Sequence, residues 1–211
     1  MFLSFDGVDG AGKSTQIRLL GEALRGQGRE VVTCRDPGST PLGERLRELL
    51  LNHHGVAIHP RAEMLLYMAA RAQLVEEVIR TALAAGKVVV SDRYLLANVV
   101  YQAHGGGLEP DDVWRVGSVT VGGIMPDLVL LLDMPADKAA ARIRRTADRM
   151  ESRGLEYLER VRQGFLTEAA RLPQQVVVIN AAQPADAIHA EVMAATAKLL
   201  TSDLRPPTSD L

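Results

Sequence analysis

The chain has 211 residues, 47% of them hydrophobic, which is enough for one domain with a buried sheet. A formal net charge of −2, together with the lack of any apolar run near 18 residues, argues against long nucleic acids and membranes as partners. The single cysteine, Cys34, excludes an intrachain disulfide, and Met1 leads into no signal-peptide pattern, so we expect a cytoplasmic protein.

Short apolar runs alternate with longer helical patterns along the chain. The runs that predict strands are Phe2–Phe5, Glu30–Cys34, Lys87–Ser91, Leu128–Leu132 and Gln175–Ile179. Helical patterns lie between them, near Lys13–Gln27, Pro41–Leu51, Pro60–Ala85, Leu95–His104, Asp111–Val119, Pro135–Arg145, Leu155–Arg171 and Pro184–Leu200. This alternation predicts an α/β fold with a mainly parallel sheet, in a single domain over residues 1–200. A disordered tail is expected from Thr201.

A phosphate-binding loop follows the first predicted strand. Residues 7–14 read G-V-D-G-A-G-K-S, which matches G-x-x-x-x-G-K-[ST], and a helical pattern comes next. Glycines let backbone N–H groups face phosphates, and the helix N-terminus adds partial positive charge. We therefore predict that ATP binds here, with Lys13 bridging its β- and γ-phosphates. The residues expected to hold ATP are Gly7, Gly10, Ala11, Gly12, Lys13, Ser14 and Thr15.

A Mg²⁺ ion that accompanies ATP needs an acidic group near Ser14, whose hydroxyl is its expected ligand. Asp92 follows the third strand, at the carboxyl edge where open α/β sheets bind ligands. We predict Asp92 as the ligand of Mg²⁺ or of its water. Asp133, after the fourth strand, is the competing candidate, although an N-cap role at the helix that begins near Pro135 would also explain an aspartate there. The guanine-reading sequence N-K-x-D does not occur, which argues against a GTPase.

The distribution of arginines indicates that the phosphoryl acceptor is itself a phosphate. A phosphate is already anionic near neutral pH, so its kinase needs positive charge rather than a general base. Arg35 and Arg93 follow the second and third strands, and Arg71 lies one helical turn after Tyr67. That last pair projects from one side of a helix and could contact a base. The same spacing would also be found if Tyr67 were simply a core residue and Arg71 extended its charge to solvent.

Two other functions remain open on these residues alone. A deoxynucleoside kinase would use a carboxylate after the second strand as its base, and Asp36 stands there. A nucleotide-dependent switch would hydrolyse ATP slowly without an acceptor, but it would leave the arginines without a role.

Four further segments resemble the thymidylate kinase family, over nearly the whole chain from Met1 to about Leu200. They share the order and spacing of that family's motifs behind the phosphate loop. The segments are R-D-P-G-S-T-P-L-G-E at 35–44, A-A-R-A-Q-L at 69–74, D-R-Y at 92–94 with Y-Q at 101–102, and D-R-M-E at 148–151. Two positions depart from the family pattern: Ala97 replaces a serine and Val100 replaces an alanine.

The resemblance implies a nucleoside-monophosphate-kinase fold: a five-stranded parallel sheet flanked by helices, with a lid over about 142–153. It implies transfer of the γ-phosphate of Mg-ATP to dTMP, and a homodimer formed through helices such as Pro60–Ala85. It also implies a role for each matching residue. Asp9 would approach the 3′-hydroxyl of dTMP, Arg35 and Arg93 would hold its phosphate, and Tyr67 would stack on thymine. Arg71 and Gln102 would bond the base edge, Asn98 would help hold the nucleotide, Tyr101 would disfavour ribose, and Pro37 would follow a cis peptide bond.

The lid is expected to supply a catalytic arginine, because no basic residue lies between Gly7 and Lys13. Counted back from the D-R-M-E segment, Arg144 falls on the family's catalytic position, with Arg142 and Arg145 as alternatives. Arg149 and Arg153 would contact ATP or brace the lid, although a basic helix end is stabilising in any case. The residues expected at the reacting groups are Asp9, Lys13, Arg93 and Arg144.

Overall fold

A computed structural model of the chain describes residues 1–52, 57–143 and 153–201. Its five strands form one sheet in the order β2-β3-β1-β4-β5, and every neighbouring pair is parallel. The strands are β1 (Phe2–Asp6), β2 (Val31–Arg35), β3 (Val88–Asp92), β4 (Leu128–Asp133) and β5 (Val176–Asn180). The predicted five-stranded parallel sheet is confirmed. Within the described ranges, no helix has the length and apolar character needed to cross a membrane.

Each strand ends one residue later than predicted, on a polar side chain. The last residue still takes its place in the ladder: Arg35 lies opposite Asp92, and Asp133 lies opposite Asn180. Apolar patterning could not find these ends, because backbone pairing continues after the side chains have become polar. The carboxyl edge of the sheet is therefore lined by charged and polar side chains.

Nine α-helices connect and flank the strands within the described ranges. They are α1 (Lys13–Gly26), α2 (Pro41–Leu51), α3 (Pro60–Leu74), α4 (Arg80–Ala84), α5 (Leu95–Asn98), α6 (Pro110–Val121), α7 (Ala136–Arg142), α8 (Leu155–Arg171) and α9 (Ala185–Thr201). Proline stands in the first turn of α2, α3 and α6, where its missing N–H costs nothing. The helix predicted over 135–145 is shorter than expected, since α7 ends at Arg142.

Two π-helical stretches were not predicted. Val75–Ile79 joins α3 to α4, and Val99–His104 continues α5. A π turn adds one residue within an otherwise helical segment, so the hydrophobic periodicity of the sequence does not reveal it. The second stretch matters for the site, because Tyr101 and Gln102 lie on it.

The sheet is covered on both faces, as a doubly wound fold requires. Alternate residues of β1 point to opposite sides: Leu3 and Phe5 pack with the cluster that includes Phe165 of α8, whereas Phe2 packs with the cluster that includes Met68 of α3. Both layers leave the carboxyl ends of β1 and β3 open for the phosphate loop and for Asp92. Of the predicted lid, residues 144–152 lie outside the described ranges, as do residues 202–211 of the predicted tail.

Candidate active site

The phosphate loop joins β1 to α1 and depends on glycine geometry. Gly10 has a φ of 85°, and a Cβ placed on it would lie 2.1 Å from the carbonyl oxygen of Ala139. Gly12 has a φ of 97° and directly precedes α1. No side chain of the described residues caps the N-terminus of α1. The first N–H groups of that helix are therefore available to an anion, as the sequence pattern predicts.

Lys13 is buried at the start of α1 and lies over the loop. Its Nζ donates to the carbonyl oxygens of Gly7 (3.1 Å) and Val8 (3.0 Å), and it stands 3.6 Å from Oδ1 of Asp9. Burial lowers the pKa of the Lys13 ammonium, and the Asp9 carboxylate opposes that change. The cation is thus held in the position where the pattern expects phosphates.

Arg93 connects the phosphate loop to the rest of the site. Its guanidinium donates to the carbonyl oxygen of Gly7 (3.0 Å), to Oδ1 of Asp9 (2.8 Å) and to the hydroxyl of Tyr101 (3.1 Å). The Arg93 backbone has a φ of 70°, a left-handed conformation that is uncommon for any residue but glycine. Its N–H donates to the carbonyl oxygen of Phe5, which fixes that turn beside β1.

Asp6, the last residue of β1, is fully buried beneath the phosphate loop. Ser4 donates to its Oδ2 at 3.5 Å, and Oδ1 has no hydrogen-bond partner among the described residues. Burial raises the pKa of this carboxyl to about 7, against the opposing charges of Arg93 and Lys13. We therefore expect Asp6 to titrate near neutral pH in the ligand-free protein.

Asp6 should make stability depend on pH, and Asp6→Asn tests this. Between about pH 4 and pH 7 the folded chain keeps a proton on Asp6 that the unfolded chain releases, so the free energy of unfolding falls as pH rises through this window. The variant cannot lose that proton. We expect Asp6→Asn to unfold at a higher urea concentration than wild type at pH 8, and to differ little at pH 5.

Urea unfolding of the ligand-free protein at both pH values gives the comparison. Asp137→Asn, which changes an exposed carboxyl on α7, is the control and should give the same small shift at both. An equal shift for Asp6→Asn at pH 5 and pH 8 would contradict the assignment.

The two residues expected to hold Mg²⁺ lie together at a candidate cation site beside the phosphate loop. Ser14 and Asp92 line one cavity with Arg35 and Ser39. Oδ1 of Asp92 is buried and has no hydrogen-bond partner among the described residues. A hydroxyl and a carboxylate are hard oxygen donors of the kind Mg²⁺ prefers. The described residues contain no cluster of three metal-ligating side chains.

Asp133, the competing metal ligand, is paired with an arginine. Arg162 of α8 donates two hydrogen bonds to its carboxylate, at 2.7 and 2.9 Å. It does not cap a helix either, because α7 begins after Pro135 and has no side-chain cap among the described residues. The capping explanation is wrong: Asp133 ties β4 to α8 through a bidentate ion pair.

A second cavity, of about 80 Å³, adjoins the phosphate loop at Asp9 and Arg93. It brings together seven of the residues predicted to bind the acceptor. They are Asp9, Tyr67, Arg71, Arg93, Asn98, Tyr101 and Gln102, and Ala97 lies among them. The expectation that Tyr67 and Arg71 face the same side is confirmed. The roles of these residues in binding stay predictions.

Arg35 is the predicted acceptor residue that does not line this cavity. Its side chain is half exposed and pairs with Glu44 at 2.7 Å, on the side of the cation site. Arg47 of α2, which the sequence did not single out, lines the cavity instead and donates to the carbonyl oxygen of Pro37 at 2.9 Å. Burial and the neighbouring Arg35 lower the pKa of the Arg47 guanidinium. The signal for Arg47 was its place in the helix after the R-D-P-G segment, but nothing in the sequence separated it from Arg45.

Arg71 is almost fully buried at the floor of the cavity. Its Nε donates to Oδ2 of Asp36 at 2.5 Å, and NH1 donates to Oδ1 of Asn98 at 2.9 Å. Burial raises the pKa of the Asp36 carboxyl, and the Arg71 charge opposes that rise. Asp36 therefore orients an arginine, which disfavours its use as the base of a nucleoside kinase. The predicted cis peptide between Asp36 and Pro37 is confirmed.

The predicted lid arginines Arg144, Arg145 and Arg149 lie outside the described residues. The residues that flank this segment on either side are described. Arg142 donates to the carbonyl oxygen of Ala181 at 3.4 Å, and Arg153 pairs with Glu63 at 3.3 Å.

Comparison with known proteins agrees with this geometry. The family model described as thymidylate kinase matches residues 5–192. A thymidylate kinase of Rhodopirellula baltica is 47% identical over 92% of this chain and 78% of its own length, and one of Pelotomaculum thermopropionicum is 44% identical over 97% and 96%. The crystal structure of a thymidylate kinase from Ehrlichia chaffeensis superposes with a TM-score of 0.76 at 28% identity, covering 93% of this chain and 98% of that one.

Proposed function

The chain belongs to the thymidylate kinase family and phosphorylates dTMP to dTDP, and we propose that ATP and dTMP react beside Arg93, between the phosphate loop and the second cavity. The observation that carries this placement is Arg93, which bonds both the phosphate loop and two residues of the second cavity, Asp9 and Tyr101. A cation at that junction lies between the expected sites of the donor and acceptor phosphates.

The reaction needs positive charge and alignment more than proton transfer. A terminal phosphate oxygen of dTMP attacks the γ-phosphorus of ATP, the bond from that phosphorus to the β–γ bridging oxygen breaks, and ADP leaves. The attacking oxygen is already anionic, so no side chain has to remove a proton. Lys13, Arg93 and the N-terminus of α1 neutralise charge as it moves between the two nucleotides. When bound, Mg²⁺ would add positive charge on the ATP phosphates from a site formed by Ser14 and Asp92.

The acceptor site fits a pyrimidine deoxynucleotide in the orientation that the resemblance implies. Tyr67 offers an aromatic face, and Arg71 and Gln102 offer hydrogen bonds to a base edge. Asp9, between Lys13 and Arg93, is the expected contact of the 3′-hydroxyl. Arg47 and Arg93 both line this cavity and would together bind the acceptor phosphate. Arg35 could do so only after its side chain breaks the ion pair with Glu44. Residues 1–200 would form the single catalytic domain, closed by the lid over about 142–153.

A panel of acceptors tests the proposal. With Mg-ATP and a coupled assay of ADP release, we expect fastest turnover with dTMP, slower turnover with dUMP, and little with UMP or AMP. Thymidine should give no turnover above the acceptor-free rate. Activity on thymidine but not on dTMP would contradict the proposed function.

Tyr101 is expected to select deoxyribose by crowding the 2′ position. Its ring packs edge-on against Phe165 at 6.0 Å, and its hydroxyl accepts from Arg93. Tyr101→Phe removes the hydroxyl but keeps this packing, so it should lower the ratio of kcat/KM for dUMP over UMP by a factor of about 3 to 10. The comparison uses dUMP and UMP because they differ only at the 2′ carbon. An unchanged ratio would remove the assigned role.

We also propose a cytoplasmic homodimer. Leu65 of α3 and Val119 of α6 are 53% and 81% exposed on two helices that pack together, which leaves apolar surface for a second copy. The buried, single Cys34 suits a reducing compartment. Light scattering on the purified chain distinguishes a monomer from a dimer.

A further inference from the structure

A chain of buried hydrogen bonds runs behind the base site. Arg71 donates to Oδ1 of Asn98 (2.9 Å), Asn98 donates through Nδ2 to Oε1 of Gln102 (2.6 Å), and Gln102 donates through Nε2 to Oε1 of Glu63 (3.0 Å). All four residues are at most 3% exposed. Arg71, Asn98 and Gln102 line the second cavity, whereas Glu63 does not. Glu63 therefore stands behind Gln102.

The charged residues at the two ends of this hydrogen-bond chain fix which groups donate and which accept along it. A guanidinium can only donate hydrogen bonds, so Asn98 must turn its carbonyl toward Arg71 and its amino group toward Gln102. A carboxylate can only accept, so Gln102 must turn its amino group toward Glu63 and its carbonyl toward Asn98. Both charged ends demand the same orientation of both amides. Reversing either amide would place two donors or two acceptors against each other in a buried site.

Glu63 is itself held in place by a neighbouring cation. Its second oxygen, Oε2, accepts from Arg153 at 3.3 Å, and the Arg153 guanidinium lies 5.0 Å from the centre of the Tyr157 ring. The positive charge compensates for burial of the carboxylate. The acceptor end of the chain is therefore as fixed as its donor end.

We propose that Glu63 is a positioning residue for base selection, because it fixes which way the Gln102 amide faces the base. The proposal rests on dTMP occupying the second cavity. With its orientation set, Gln102 keeps one N–H and one carbonyl lone pair in fixed places. Thymine offers an acceptor at O4 and a donor at N3, and cytosine offers the reverse, a donor at N4 and an acceptor at N3. A fixed amide can match one of these bases, and a free amide can match either.

Glu63→Gln tests the proposal, because a glutamine at this position can donate or accept and no longer sets the direction. We expect the ratio of kcat/KM for dTMP over dCMP to fall at least about tenfold, because a Gln102 amide that is free to turn can also match cytosine. Glu77→Gln is the matched control: Glu77 is exposed on the stretch after α3 and should leave the ratio unchanged. Glu63→Asp keeps an acceptor-only group and should retain the wild-type ratio even if overall activity falls.

Equal losses on dTMP and dCMP in Glu63→Gln would overturn the proposal, since they would mark Glu63 as structural only. If that variant does not fold, Asn98→Asp tests the same chain from its other side. It presents only acceptors and competes for the amino group of Gln102, so the ratio should again fall, and an unchanged ratio would contradict us. Wild-type preference for dTMP over dCMP is measured in the same assay. A wild type that does not turn over dTMP would count against the proposed function, whereas an unchanged ratio in the variants counts against Glu63 alone.

Discussion

Replacement of Arg93 by methionine is expected to lower kcat/KM for dTMP by about 10³-fold or more, the largest effect of any single change considered. The loss has two physical sources. A charge next to the transferred phosphoryl group is removed, which by itself is typically a 10²- to 10³-fold effect. The hydrogen bonds to Asp9, Tyr101 and Gly7 are lost at the same time, so the phosphate loop loses its link to the second cavity.

The measurement is steady-state turnover with Mg-ATP and dTMP, with thermal unfolding to verify that the variant is folded. Arg160→Met is the matched control, because Arg160 is an exposed arginine that pairs with Glu156 on α8. It should change kcat/KM by less than about twofold, as expected for an exposed ion pair that lines neither cavity. If kcat/KM for dTMP falls tenfold or less in a folded Arg93→Met variant, the role assigned to Arg93 is contradicted.

Replacement of Arg144 by alanine is expected to lower kcat by about 10²-fold or more, with little change in dTMP binding. The phosphate loop carries no arginine, so a charge that meets the transferred phosphoryl has to come from another segment. An arginine that acts only in the transition state lowers kcat without weakening the ground-state complex.

Arg145→Ala is the comparison that sets the register of the lid. Both variants are assayed for kcat at saturating ATP and for dTMP binding by titration calorimetry. A mild effect of Arg144→Ala together with a large effect of Arg145→Ala would move the role to the next residue. A loss of dTMP affinity equal to the loss of kcat/KM would instead mark Arg144 as a binding residue.

Local sequence signals were sufficient for the sheet and for the position of the phosphate loop. Strands buried on both faces are continuous apolar runs, and a phosphate loop is one contiguous motif whose glycines have a local conformational cause. The shifts at strand ends and the π-helical stretches are the exceptions, because polarity and periodicity do not report backbone hydrogen bonds. Val99–His104 is the consequential case, since it carries Tyr101 and Gln102.

The second cavity could be predicted only in part, because its contacts join distant parts of the chain. Arg35 and Arg47 are both arginines of the segment around R-D-P-G, and only packing decides that Arg47 lines the cavity while Arg35 pairs with Glu44. Glu63 had no local signal, because it acts through Gln102, 39 residues later. Asp133 likewise needed its partner Arg162 to be understood.

The ³¹P spectrum of the reaction product tests the central claim most directly. Mg-ATP is incubated with the purified chain and either dTMP or thymidine, and the new phosphorus signals are assigned. We predict the α- and β-phosphorus signals of dTDP, with ADP in equal amount, from dTMP, and no new phosphate ester from thymidine. Formation of dTMP from thymidine, with no dTDP formed from dTMP, would contradict a phosphate acceptor in this site.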